Sequence, residues 1–153
     1  LRQAGFEQYE ISAYSQAGQQ CQHNLNYWRF GDYLGVGCGA HGKITLANEN
    51  KIIRTVKVKH PKGYMDLTRS YTSEKKVVPK QDLPFEFFMN RFRLLEPCPK
   101  SDYSDFTGIS LDKTTQQNLQ TAITRGLLVE SNDEWQVTPL GRRYLNTLLE
   151  MMV

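Results

Sequence analysis

Apolar and polar residues alternate over Phe6-Glu7-Gln8-Tyr9-Glu10-Ile11, the period-two pattern of a strand. A polar loop, Ser12 to Gln22, follows, then an aromatic stretch, Tyr27-Trp28-Arg29-Phe30, and a Gly-rich run from Gly31 to Gly42. Lys43–Ala47 and Ile52–Val58 predict a hairpin around Asn48-Glu49-Asn50. Pro61 suits the first turn of a short helix carrying Tyr64, Leu67 and Tyr71 on one face. Residues 73–83 are charged and contain Pro79, which reads as a linker.

The second half is more strongly periodic. Phe85, Phe88, Met89, Phe92 and Leu95 recur at helical spacing between Pro84 and Pro97, predicting an amphipathic helix. A shorter helix is expected over Ser101–Phe106. Leu111, Thr115, Leu119, Ala122 and Ile123 mark a third, with Ser110 as N-cap and Gly126 just past its end. Leu127–Glu130 and Trp135–Val137 read as short strands. Thr138-Pro139 then starts a helix with Leu140, Tyr144, Leu145, Leu148 and Leu149 on its apolar face. The fold class expected is α+β, and the order helix, helix, helix, hairpin, helix over 84–153 is that of a winged-helix-like domain. Residues 1–58 form a strand-rich segment and 59–83 a short helix and linker.

Composition narrows the functional classes. No apolar run approaches the roughly 18 residues of a membrane span. The opening Leu1-Arg2-Gln3-Ala4-Gly5 resembles neither an initiator nor a secretion signal, so a piece of a longer protein is expected. Cys21, Cys38 and Cys98 are too few for a secreted disulfide framework, which favours a reducing cytoplasm. They are also too far apart for the short cysteine runs that hold zinc or an iron–sulfur cluster. Residues 1–83 carry 12 Lys/Arg against 7 Asp/Glu, whereas 84–153 carry 7 against 9. Affinity for nucleic acid is dominated by phosphate contacts, so a net-negative winged-helix-like half argues against specific nucleic-acid binding. The polar face of its third helix (Asp112, Lys113, Gln116, Gln117, Asn118, Gln120) reads instead as solvated surface.

Two clusters carry candidate chemistry. Gly37-Cys38-Gly39-Ala40-His41-Gly42 fits G-x-G-x-x-G, but a β-type run, Lys43-Ile44-Thr45-Leu46-Ala47, follows where a dinucleotide site requires a helix. Close packing of backbone around small residues is the simpler account. In His23-Asn24-Leu25-Asn26-Tyr27-Trp28, one imidazole could ligate haem iron and the aromatics could offer a porphyrin flat apolar surface. A lone histidine is more often structural. No base is identifiable beside any cysteine for nucleophilic catalysis.

Taken in order, these pieces resemble a family. Gly5-Phe6-Glu7-Gln8-Tyr9-Glu10-Ile11-Ser12, His23-Asn24-x-x-Tyr27-Trp28 and Asp32-Tyr33-Leu34-Gly35-Val36-Gly37-x-Gly39-Ala40-His41-Gly42 are similar to the HemW-like radical S-adenosylmethionine proteins. These are relatives of oxygen-independent coproporphyrinogen III oxidase. The likeness continues through Glu86–Leu94, Gly126-Leu127-Leu128 and Thr138–Asn146. Cys38 and Glu96-Pro97-Cys98-Pro99 depart from the family's usual pattern.

The resemblance implies that this is the C-terminal part of such a protein. Residues 1–58 would then form the end of a partial TIM-like barrel, with its strands and hairpin. A [4Fe–4S] cluster and S-adenosylmethionine would belong to the full-length protein, the cluster's cysteine loop lying outside this chain, which alone would be inactive. His23 becomes the candidate haem-iron ligand, and Tyr27 and Trp28 candidate porphyrin contacts. Gly35, Gly37, Gly39 and Ala40 would lie near S-adenosylmethionine. The implied partners are haem and a haem-acceptor protein. A porphyrinogen oxidase is the alternative activity, and a winged-helix nucleic-acid binder the alternative class. Strands cut from a barrel would also leave open edges, so self-association of the fragment is expected.

Overall fold

The computed structural model describes residues 1–153, which divide into two compact units, Leu1–Phe30 with Gln81–Val153, and Gly31–Lys80. The first opens on an antiparallel hairpin, β1 (Glu7–Glu10) with β2 (Ala13–Ser15), so part of the stretch expected as loop is a strand. The Glu10 carboxylate shapes the turn by accepting hydrogen bonds from the Ser12 amide at 3.0 Å and hydroxyl at 2.7 Å. The other edge of β1 meets the segment around Leu94. There Ile11 N–H donates to the Arg93 carbonyl and Leu95 N–H to that of Tyr9, both at 3.0 Å. Helix α1 (Gln22–Trp28) follows, where only an aromatic stretch was legible.

The core of this unit is aromatic. Helix α3 (Leu83–Arg91) begins with Pro84 in its first turn and buries Phe87 and Phe88 completely, while Phe85 and Met89 are only half-buried. Phe88 lies stacked on Tyr103 at 5.6 Å and edge-on to Trp135 at 5.7 Å. Tyr103 comes from α4 (Lys100–Thr107) and Trp135 from a three-stranded sheet ordered β6 (Cys98–Pro99), β8 (Glu134–Val137), β7 (Leu128–Glu130). Two residues are too few to show a period, so β6 had no signal in the sequence.

Helix α5 (Lys113–Thr124) is capped by Asp112, not Ser110: the Asp112 carboxylate accepts the Thr115 amide at 2.7 Å. Thr138 caps α6 (Pro139–Arg143) as expected, its hydroxyl accepting the Gly141 amide at 2.9 Å. The helix then breaks at Tyr144, whose φ of −112° and ψ of 39° leave α geometry, and α7 (Leu145–Glu150) continues. That break leaves Leu140 and Tyr144 exposed while Leu145 and Leu148 are buried.

The second unit is a three-stranded antiparallel sheet, β3 (His41–Leu46), β4 (Lys51–Lys57) and β5 (Thr72–Val77), with the short helix α2 (Pro61–Tyr64) between β4 and β5. The hairpin register pairs Ile44 with Ile53, and Asn50 completes the turn in the left-handed region at φ 48°. Strand β5 occupies the segment read as a linker. Its charged side chains face solvent on an edge strand, where such residues are common, so the polarity that suggested a linker is an edge-strand property.

Candidate functional site

Helix α1 is fixed at several points. Leu25 is buried, and Phe30 just beyond the helix packs edge-on against Phe87 at 5.5 Å. Arg29 donates from Nε and Nη2 to the two carboxylate oxygens of Glu96, at 2.8 and 2.7 Å. Asn24 reaches the Tyr9 hydroxyl at 3.4 Å. Trp28 lies under the Arg93 guanidinium, 4.5 Å from ring centroid to carbon, a cation–π arrangement. The Tyr27 ring meets Trp28 edge-on, 4.6 Å away at 84°.

His23, by contrast, is exposed and has no hydrogen-bond or ion-pair partner in the protein. Tyr27, one helical turn on, shares its side of the helix. Trp28 lies about 140° round the helix from His23. The structure therefore brings His23 and Tyr27 onto one side and joins Trp28 to them through the Tyr27 ring.

The glycine run belongs to the sheet unit. A Cβ on Gly35 would strike the His41 carbonyl, and one on Gly42 would lie 2.7 Å from Thr55 Oγ1 and 3.3 Å from the Tyr33 carbonyl. These two glycines are required by close backbone approach. Gly37, at φ 102°, has open space over its α-carbon and donates its amide to the Tyr64 hydroxyl at 3.1 Å. Gly39 donates to the Val58 carbonyl at 3.0 Å, and Ala40 accepts from the Lys57 amide at 2.8 Å. Beside them the buried Lys43 ammonium meets Asp32 at 2.9 Å. Burial works against charge on Asp32, but hydrogen bonds from Thr45 and Lys43 outweigh it and hold the carboxyl below the usual range.

Sequence reasoning missed a second charged cluster in the helical unit. The buried Arg91 contacts Glu96 at 3.1 Å, Asp102 at 3.1 Å and Cys98 Sγ at 3.4 Å. Glu96 is thus shared by Arg91 and Arg29, and a group 67 positions from Arg29 left no local signal. Burial pushes the Cys98 thiol up to about 11, so it stays protonated near neutral pH. Cys21 and Cys38 are exposed, all three cysteines are free, and no group of three His, Cys, Asp or Glu side chains could hold a metal ion. The residues present do not fit an iron–sulfur cluster. No helix is long and apolar enough to cross a membrane.

Residues 78–144 match the HemN C-terminal domain. Across all 153 residues the chain is 55% identical to the heme chaperone HemW of Haemophilus influenzae and 51% identical to that of Escherichia coli, and it covers 39% of each. It is 32% identical to Bacillus subtilis HemW over 142 residues, which are 90% of this chain and 36% of that protein. Among solved structures, the radical SAM enzyme coproporphyrinogen III oxidase (HemN) from Escherichia coli matches with a TM-score of 0.68, over 99% of this chain and 38% of that one. At 13% identity that likeness speaks for the fold alone. The chain spans about two fifths of the curated relatives it matches. The likeness to these HemW proteins is sustained over the whole chain, and residues 78–144 carry the HemN C-terminal domain.

Proposed function

We propose that this chain is the C-terminal part of a haem chaperone, a protein that binds haem and passes it to acceptor proteins. The observation that carries the reading is His23, an exposed imidazole on a well-anchored helix with no partner of its own. A neutral imidazole nitrogen is a good axial ligand for haem iron. Tyr27 and Trp28 supply aromatic surface for the porphyrin, and Arg29 and Asn24 hold the helix that presents them.

Haem is cargo on this reading. In the full-length protein the [4Fe–4S] cluster and S-adenosylmethionine would be held by the barrel, whose cysteine loop precedes this segment. The open space at Gly37 suits an approach of the Gly35–Ala40 backbone to that cofactor. Residues 1–58 would supply the last strand of the partial barrel and the segment leading away from it, and 59–83 would lead into a winged-helix-like domain at 84–153. The succession α3, α4, α5, hairpin β7–β8, α6 and α7 supports that last assignment. Glu130, Asp133 and Glu134 on the hairpin favour a protein acceptor over nucleic acid. Three free thiols accord with a cytoplasmic setting.

Haemin titrated into the full-length protein should give a saturable Soret-band shift that the His23→Ala variant loses. An identical titration in the variant would remove His23 as ligand, and no saturable binding in either would sink the chaperone reading.

A further inference from the structure

The helical unit contains a pocket that the haem reading does not use. It has a volume of about 500 Å³ and is lined by Arg93, Arg142 and Arg143, together with Ile11, Tyr144 and Leu145. No Asp or Glu lines it. Three guanidinium groups on one cavity stand out in a half of the chain whose acidic residues outnumber its basic ones.

Two of the three arginines are incompletely satisfied. The Nε atoms of Arg93 and Arg142 are buried without a hydrogen-bond partner. Arg142 donates from Nη2 to the Leu95 carbonyl at 3.3 Å and has no carboxylate partner. Arg143 is exposed and unpaired. Arg93 has one acidic neighbour, Glu10, whose Oε2 stands 3.8 Å from its Nη2, too far for a hydrogen bond. A buried N–H donor left without an acceptor is unfavourable, and a guanidinium without a counter-charge more so. An oxyanion in the cavity would supply the counter-charge that Arg142 and Arg143 lack. The apolar lining from Ile11 and Leu145 favours an organic anion over a bare inorganic one, and the volume lies in the range of small-ligand pockets.

We propose that this cavity is a carboxylate-binding site, in which Arg142 and Arg143 pair with the carboxylate of a small organic ligand and Arg93 completes the cationic wall. Planar guanidinium groups match a carboxylate through paired N–H donors. Two sources share that chemistry: the propionate arms of a porphyrin, and a free carboxylic acid. The first is suggested by Arg93 itself, which lines the cavity and also covers the Trp28 ring.

The test uses glutarate as a simple carboxylate probe and follows the Arg93 and Arg142 Nε–H resonances by NMR. Saturable shifts are expected in the wild type. They should weaken by on the order of tenfold in Arg143→Glu, a change at an exposed side chain that the fold does not use. In an Arg142→Gln, Arg143→Gln double variant with an unchanged far-ultraviolet spectrum, the remaining Arg93 resonance should no longer respond to glutarate. Displacement of glutarate by haemin, but not by haemin dimethyl ester, assigns the site to propionates. A glutarate site indifferent to haemin assigns it to a separate acid, and stands even if haemin binds nowhere on the protein. Resonances that do not respond to glutarate overturn the proposal, even where haemin binding through His23 is intact, as do responses unchanged in Arg143→Glu.

Discussion

A single missing methyl group sets the packing at Gly141. A Cβ there would drive into the Leu127 carbonyl and lie 2.9 Å from a Val137 methyl, and neither neighbour can move without disturbing the joint between β7, β8 and α6. Gly141→Ala should therefore destabilise the helical unit by about 1–3 kcal/mol, the usual range for overpacking. Urea unfolding is the check, and an unchanged midpoint would show that α6 can shift to make room. Nothing in Thr138-Pro139-Leu140-Gly141-Arg142-Arg143 itself marks this residue out. Its necessity comes from a carbonyl 14 positions away. His23 is the opposite case: its residue type and its neighbour Tyr27 were legible, and the structure added its exposure and lack of a partner.

Among the elements, helix α5 shows how local chemistry competes for one role. Ser110 and Asp112 both suit an N-cap, and Asp112 takes it, in extended geometry, two residues later. Asp112→Ala should cost about 1 kcal/mol of stability, while Ser110→Ala should be close to neutral. Parallel denaturation curves decide between them, and a larger loss at Ser110 would contradict the cap. Elements with a repeated pattern were legible in the sequence: the β3–β4 hairpin, α3, α4, α5 and the β7–β8 hairpin. Those without one were not. Helix α1 buries a single residue in its span, Leu25, and so shows no apolar stripe. Strand β5 has its polarity set by solvent on its edge, and β6 is two residues long. The arginine cavity was equally hidden, because its lining residues come from near Ile11, from Arg93 and from the α6–α7 break.

Over the whole molecule, charge links distant parts of the helical unit and makes its stability depend on pH. The Arg29 fork, and then Arg91, hold the Glu96 carboxyl below its ordinary value of 4.5. A lowered folded-state value means that the folded protein binds fewer protons here than the unfolded chain. The contribution is therefore present above pH 4.5 and is lost as pH falls through the lowered value. Asp102 runs the other way, since burial raises its value despite Arg91, and it offsets part of the acid loss. Glu96→Gln should lower stability at neutral pH and flatten the decline on acidification, as measured by denaturant midpoints from about pH 3 to 7. Equal acid slopes in the two proteins would show that other carboxylates control it.

The chain leaves the helical unit at Phe30 and returns at Gln81, so the sheet unit is an insertion in the topology. Contacts such as Arg29 with Glu96, and β1 with Leu94, can form only after that whole segment has been looped back. The entropy of closing such a loop opposes them in a floppy chain and far less in one already folded back on itself. The hairpin of β3 and β4, whose partners are near in sequence, has no such barrier. On refolding, pulse-labelled amides in β4 should gain protection before the Leu95 amide bound to Tyr9. The insertion would then act as a timer, delaying completion of the His23-bearing unit until the sheet has formed.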